Sequence, residues 1–323
     1  MDKIFDVVAL GELLIDFTLN GVSDQGNPLF EACPGGAPCN VLAMLKKLGK
    51  SCAFIGKVGD DIFGRSLRDT VASIGINTGS LLTDRSVNTT LAFVQTFENG
   101  DRDFSFYRNP GADMMLTPDE IPEEVVKNAR IFHFGTLSMT HGLVRTATKK
   151  AVNIAKQNGA LLSFDPNLRA PLWSNLDTAK TQIRWGLRQC DILKIADNEI
   201  EFLSGSSDFD EGAAYLKKNF PNIKLINITA GADGSYCYYD DKKVFVPSFK
   251  LGGTIETTGA GDTFCACVQA YVLEHGLDDL TENDLRDMLR FANAAAYLVT
   301  TKEGAIRSMP DRADVEKILS ENE

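Results

Sequence analysis

The chain has 323 residues, 44% of them apolar and 24% charged, which supports a sizeable buried core and excludes a disordered or fibrous protein. With 44 Asp and Glu against 33 Lys and Arg, the formal charge of −11 repels polyanions, so nucleic acid and an anionic membrane are excluded as partners. No apolar run approaches the roughly 20 residues of a membrane span. Met1-Asp2-Lys3 runs directly into strand-like Ile4–Val8, which leaves no room for a signal peptide and leads us to expect a cytoplasmic protein. Seven cysteines without a CxxC pair read as reduced thiols, and three histidines are too few for a His-based metal site.

In chain order, Ile4–Leu10 and Ser51–Val58 read as buried strands. Between them Val41, Leu42, Leu45 and Leu48 form a helical stripe that stops at Gly49, completing a β-α-β unit. Two stretches break the alternation: Phe17–Phe30, and Thr89–Phe97 with Asp103–Arg108, the latter a hairpin turning at Asn99-Gly100. They predict a small β lid. The apolar runs Ile131–Gly135, Leu161–Asp165, Ile192–Ile195 and Leu225–Thr229, separated by helical segments such as Val144–Gln157 and Thr178–Leu187, predict a central, mostly parallel sheet. A hairpin, Ser235–Tyr239 with Val244–Val246, precedes two long helical patterns, Gly261–His275 and Asp284–Thr300. No linker, repeat or low-complexity tract divides the chain, so we expect one domain over 1–323 with a lid formed by about 17–34 and 88–112. Leu91, Phe93, Val94 and Phe97 make the lid apolar on both sides; its outer face either meets a second lid in a twofold homodimer or packs on its own domain.

The string Glu256-Thr257-Thr258-Gly259-Ala260-Gly261-Asp262-Thr263-Phe264 precedes an apolar helix. Gly259 and Gly261 let backbone N–H groups approach a ligand, and the helix N-terminus suits a phosphate. Asp262 would repel that phosphate unless it serves as a general base, taking a hydroxyl proton as the hydroxyl attacks a phosphoryl group held by the loop. Read alone, the string is equally a helix start with an acid in its first turn.

A second string, Pro34-Gly35-Gly36-Ala37-Pro38-Cys39-Asn40-Val41, continues into Phe54-Ile55-Gly56-Lys57-Val58-Gly59-Asp60-Asp61-Ile62-Phe63-Gly64. Gly35 and Gly36 permit close backbone approach and Asn40 places an amide on the helix's first turn, a set that can hydrogen-bond hydroxyls or simply start a helix. Asp16, in Gly11-Glu12-Leu13-Leu14-Ile15-Asp16-Phe17, can accept two hydrogen bonds from vicinal hydroxyls or sit in a turn. Arg108 closes Phe104-Ser105-Phe106-Tyr107-Arg108-Asn109-Pro110, and Arg169 follows Phe164-Asp165-Pro166-Asn167-Leu168 at a strand end, where ligands collect in open α/β sheets.

In Ala196-Asp197-Asn198-Glu199-Ile200-Glu201, Asn198 and Glu201 stand i,i+3 and could order magnesium-bound water; the segment also reads as a helix start with Asp197 as N-cap. Thr229-Ala230-Gly231-Ala232-Asp233-Gly234 turns from a strand into the hairpin. Asn293, in Phe291-Ala292-Asn293-Ala294-Ala295-Ala296, sits on a small-residue face that admits a flat ring or a close helix.

The two long strings resemble the signatures of the ribokinase-like carbohydrate kinase family, and the resemblance runs in order from Asp16 to Ser308, essentially the whole chain. The Phe104–Arg108 and Phe164–Arg169 runs look like the fructokinase branch. The resemblance implies an α/β, ribokinase-like three-layer sandwich with a small β-sheet lid. It also implies transfer of the γ-phosphate of ATP to the 6-hydroxyl of D-fructose, with Asp262 as base and the Gly259, Ala260, Gly261 and Asp262 amides as anion hole. Asp16, Gly35, Gly36, Asn40, Arg108 and Arg169 would contact the sugar; Thr229, Gly231 and Gly234 would line the nucleotide pocket, with Asn293 at the adenine. Asn198 and Glu201 would organise magnesium through water, and Glu256, Thr258, Val299, Lys302, Gly304 and Ser308 a monovalent cation, potassium. Glu256 departs from the family's usual Asp, Cys39 from Ala, and Ala230 from Leu. The runner-up is a kinase for 2-keto-3-deoxygluconate or another ketose, because Arg108 and Arg169 could face a carboxylate together. A non-catalytic sugar-binding regulator on the same scaffold is the rival outside enzymes.

Overall fold

Continuous apolar runs become strands buried on both faces, and amphipathic runs become the helices that cover them. A computed structural model of the chain describes residues 3–96 and 102–322. The first part holds β1 (Phe5–Leu10), β2 (Leu14–Val22), β3 (Pro28–Gly35), α1 (Ala37–Lys47), β4 (Cys52–Gly59), α2 (Ile62–Ser73), β5 (Asn77–Asp84), β6 (Leu91–Thr96) and β7 (Arg102–Tyr107). Then come α3 (Glu123–Lys127), β8 (Ala129–Gly135), α4 (Gly142–Gln157), β9 (Leu161–Asp165), α5 (Leu176–Leu187), β10 (Ile192–Ala196), α6 (Asp197–Ser204), α7 (Phe209–Asn219) and β11 (Leu225–Thr229). The chain closes with β12 (Gly234–Tyr239), β13 (Lys242–Pro247), α8 (Ala260–His275), α9 (Glu282–Thr300) and α10 (Arg312–Glu321).

Nine strands form one sheet in the order β13-β12-β11-β10-β9-β8-β1-β4-β5, parallel except where β12 and β13 pair antiparallel at one edge. Side chains alternate between its faces. Val7 and Ala9 join the core under α1, α2, α8, α9 and α10, while Val8 and Leu10 join the core under α3 to α7, which gives three layers. The four remaining strands make a separate sheet, β3-β2-β6-β7. Among the described residues no helix is long and apolar enough to cross a membrane, and all seven cysteines are buried free thiols.

Several local expectations change. Phe17–Phe30 runs from β2 through a turn into β3, with Gly26 taking left-handed φ in the turn and Gly21 at the register shift near the end of β2. The Asn99-Gly100 turn and Phe97 lie outside the described residues. The apolar residues of β6 divide between its two faces: Val94 lines the central cavity, whereas Phe93 stacks on Phe17 at 4.8 Å and meets Phe30 and Tyr107 edge-on. At α6 the N-cap is Ala196, so Asp197 is already the first helical residue.

Candidate active site

Strands β1, β8, β9, β10 and β11 end at one rim of the wide sheet, and the chain's progress across the sheet reverses between β1 and β8, where a crevice must open. A cavity of about 940 Å³ fills it, walled by Asp16, Val94 and Phe106 from the small sheet and by Gly231, Thr254 and Tyr297 from the other elements.

Asp262, in the first turn of α8, lines this cavity and is 8% exposed. Asn40 Nδ2 donates to its Oδ2 at 2.7 Å, while Asn40 Oδ1 is buried without a hydrogen-bond partner among the described residues. Burial pushes the Asp262 carboxyl up to about 6 and the Asp165 carboxylate adds to this; the Asn40 bond, Lys194 and Arg169 pull it back. Such a group is ionised at neutral pH yet basic enough to take a proton.

Gly259 starts α8 with a left-handed φ of 81°, and a Cβ there would stand 2.9 Å from Ala305 Cβ. The Ala260 N–H donates to the Thr257 carbonyl at 3.3 Å, whereas the amides of Gly259, Gly261 and Asp262 have no acceptor among the described residues. Ala260 therefore drops out of the expected anion hole, its N–H engaged within the turn.

At the sugar end, Gly36 takes a φ of 122° and a Cβ on it would meet the Glu12 carbonyl oxygen at 2.5 Å. Gly35 does not line the cavity; a Cβ on it would lie 2.2 Å from Asp16 Oδ2, so it makes room for that carboxylate. Burial raises Asp16 to about 7, with Glu256 and Asp262 adding and Arg169 opposing. Arg169 is exposed at the cavity edge, where its guanidinium donates to the Leu168 carbonyl at 3.4 Å. Arg108 is placed otherwise than expected. It is buried and paired with Asp113 at 2.6 Å, and it does not line the cavity.

The nucleotide end keeps Thr229, Gly231, Gly234 and Asn198 on the cavity wall. Glu201 is exposed and off it, while Glu199 is buried and on it. Glu199 accepts from the Ala196 N–H at 2.8 Å and the Leu168 N–H at 2.6 Å, which holds the ends of β9 and β10 together. Asn293 reaches the cavity but its amide is occupied: Oδ1 accepts from Ser235 Oγ at 2.9 Å and Nδ2 donates to the Val246 and Pro247 carbonyls at 3.0 and 3.2 Å. It clips α9 to the β12-β13 hairpin, so an adenine there would find its helix face and not a free amide.

Sequence reasoning missed Lys194. It sits on β10 with Nζ 3.1 Å from Asp165 Oδ2, and a Cβ on Gly261 would lie 2.9 Å from that Nζ. Burial lowers the pKa of this lysine, but Asp165, Glu199 and Asp262 outweigh it and hold the group above its ordinary value, so it stays charged. A buried cation thus underlies the helix start where an anion would bind. Lys194 is legible only as a polar residue within an apolar strand, and Glu199 as one just after it.

In the loop expected to hold a cation, Thr258 Oγ1 donates to Glu256 Oε1, and the Gly304 N–H donates to Glu256 Oε2 at 2.9 Å. Ser308 Oγ donates to the Glu303 carbonyl. Val299 is buried, Lys302 exposed, and of the expected set only Thr258 lines the cavity. Glu256 thus joins the 256–258 loop to Gly304. No group of three His, Cys, Asp or Glu able to hold a metal occurs among the described residues.

Residues 5–312 match the profile of the pfkB family carbohydrate kinases. The chain is 42% identical over 315 residues to Fructokinase-1 of Zea mays, covering 97% of each protein. In three dimensions it resembles a fructokinase from Xylella fastidiosa with bound ATP, with a TM-score of 0.89 at 28% identity and coverage of 98% of this chain and 99% of that one. It also resembles a fructokinase double mutant from Vibrio cholerae O395 in a fructose, ADP and potassium ion bound form, with a TM-score of 0.85 at 26% identity over 99% of each chain.

Proposed function

This chain belongs to the pfkB family of carbohydrate kinases, and we propose that within it the whole chain acts as one kinase domain that phosphorylates the 6-hydroxyl of D-fructose from ATP. The observation that carries the chemistry is a buried carboxylate, Asp262, beside unpartnered amides in one cavity large enough for a sugar and a nucleotide. Fructose sits against Asp16 and Asn40, whose buried Oδ1 accepts from a hydroxyl, under a lid formed by about 17–34 and 88–112. Asp262 takes the proton of the 6-hydroxyl, and that oxygen attacks the γ-phosphorus in line. The Gly259, Gly261 and Asp262 amides and the Lys194 ammonium stabilise the negative charge on the transferring group.

Magnesium fits as an ion carried by water and triphosphate oxygens, with Asn198 and Glu199 on the cavity wall to orient that water; it would offset phosphate charge. Glu199 takes the place of Glu201 in that role, because Glu201 is exposed and off the cavity, while Asn198 keeps its place. For a monovalent cation, potassium, the Glu256-tethered loops around Thr258 and Gly304 are the site we favour.

The keto-acid reading loses support, because Arg108 is engaged with Asp113 and only Arg169 remains to meet a carboxylate. ADP release should be fastest on fructose when fructose, ribose and 2-keto-3-deoxygluconate are compared at equal concentration, and faster in potassium than in sodium. Higher turnover on the keto-acid sugar would overturn the fructose reading, and sugar binding without any ADP release would make the chain a regulator. In the same assay kcat/KM should fall as pH drops through the window from about 7 to about 6, since Asp16 and Asp262 gain protons there and lose the ability to accept from hydroxyls. A flat profile down to pH 5 would remove Asp262 as the base.

For the lid, we infer a twofold contact between two copies. Leu19, Val22, Leu29, Phe30 and Tyr107 are large apolar side chains left exposed on this small sheet, and a second lid of like composition would cover them. Sedimentation should find a dimer at micromolar concentration that Phe30→Asp weakens; a monomeric wild-type chain would sink the idea.

A further inference from the structure

The lid hairpin leaves the body of the protein just after Thr90 and rejoins it at Arg108, since β6 begins at Leu91 and β7 ends at Tyr107. Both junction residues are buried, and one carboxylate holds them. Asp113 Oδ1 accepts from Thr90 Oγ1 at 2.5 Å, and Asp113 Oδ2 accepts from Arg108 Nε at 2.8 Å and Nη2 at 2.6 Å. The other edge of the guanidinium faces the body, donating to the Leu137 carbonyl at 3.0 Å and Thr140 Oγ1 at 2.8 Å in the segment after β8. The cluster fills the space beside Gly111 so closely that a Cβ there would lie 1.8 Å from Thr90 Oγ1.

The same junction reaches the sugar end by two routes. The Ile15 N–H donates to the Thr90 carbonyl at 3.2 Å, and β2 pairs with β6 in the register Asp16↔Ala92, so the position of Thr90 sets that of Asp16. Val94 and Phe106, carried on the two arms of the hairpin, line the cavity, as does Leu137 beneath the guanidinium.

We propose that Arg108 is a positioning residue that sets the tilt of the lid over the sugar subsite, by locking both ends of the lid hairpin onto Asp113 and the segment 137–140. The proposal rests on the fructose reading above. It assigns Arg108 no contact with substrate. The fork geometry is essential, because one planar group must bond the carboxylate on one edge and two body oxygens on another, which a lysine ammonium cannot do.

Two variants test this. Arg108→Lys keeps the buried charge paired with Asp113 but loses the fork, and Arg108→Met with Asp113→Leu removes both charges together, which avoids an uncompensated buried carboxylate. In both, backbone amides of β2 and β6 should exchange hydrogen at least ~10-fold faster than in the wild type while those of β8 and β9 are unchanged. The fructose KM should rise ~10-fold with the ATP KM within about twofold of wild type, because only the sugar subsite is carried by the lid. Unchanged exchange in β2 and β6, fructose and ATP KM values that move together, or failure of both variants to fold would each overturn the proposal and leave the pair a plain stabilising contact. Absence of turnover by the wild-type chain on every sugar would reject the fructose reading instead, and the exchange data would still judge the clamp.

Discussion

An Asp262→Asn variant should fold normally and turn fructose over about 10²–10⁴ times more slowly than the wild type, the loss expected when a positioned general base is removed. The substitution keeps the side chain's size, and its amide oxygen can still accept from Asn40 Nδ2, which lies 2.7 Å from Asp262 Oδ2. What it removes is the lone pair that takes the hydroxyl proton. Stability should not suffer at pH 8, and the sign follows from linkage. Asp262 is raised in the folded state from 3.8 to about 6, so its contribution to stability is present at low pH and lost as pH rises through about 6. Above that pH the ionised carboxylate is a cost of folding that Asn deletes. Rates by ADP release and thermal unfolding at pH 8 check both halves. A folded variant retaining more than about a tenth of wild-type kcat would exclude Asp262 as the base.

Lys194→Met should damage stability and catalysis together. Its ammonium is 3.1 Å from Asp165 Oδ2, both side chains are buried, and Glu199 and Asp262 lie within its electrostatic reach. Removing one member of such a pair leaves carboxylate charge buried and unpaired, typically a loss of about 3–5 kcal/mol. For a chain of this size that lowers the unfolding midpoint by about 4–7 °C. The variant also withdraws a cation from beneath Gly261, where the phosphoryl charge would develop, a loss of about 10²–10³ in kcat. Because Lys194 is among the groups that lower the Asp262 pKa, the acid limb of the rate profile should move to higher pH. Arg169 and Asn40 pull in the same direction and Asp165 opposes, so the limb shifts without vanishing. Pairing Lys194→Met with Asp165→Leu should recover most of the midpoint and little of the rate. Wild-type stability and an unmoved acid limb in the single variant would show that the lysine is dispensable.

The difference between Arg108 and Arg169 shows where sequence reading stops. Each follows a run of apolar and aromatic residues and each was expected at the sugar, yet one is locked to Asp113 and the other is exposed at the cavity edge. Arginine is common on surfaces, and nothing in its own neighbourhood marks one that is buried. The available signal was Gly111 and Asp113 just downstream, a residue without a side chain beside an acid, and it acquires meaning only once Thr90, far away in the chain, is placed against them. Glu199 and Glu201 make the same point on a finer scale. They stand two positions apart at a helix start, so they project roughly 200° apart around the axis, and which of them meets the cavity depends on Ala196 rather than Asp197 being the cap.

Local rules were enough for the rest of the frame. Leu161–Asp165 and Leu225–Thr229 are largely apolar runs because their strands are covered on both faces, and the alternation of such runs with helices leaves few topologies besides a parallel sheet. The glycines around Asp262 and Asn40 announce close backbone approach because no other residue tolerates it, so the place where these two side chains meet could be named in advance. The sequence by itself determined the layers and the two glycine-rich loops, and marked Asp262 as the candidate base beside one of them. Only the tertiary structure decided which charged side chains are solvated and which are paired in the interior, because that depends on groups brought together from distant segments, and burial turns a modest surface charge into one that must find a partner.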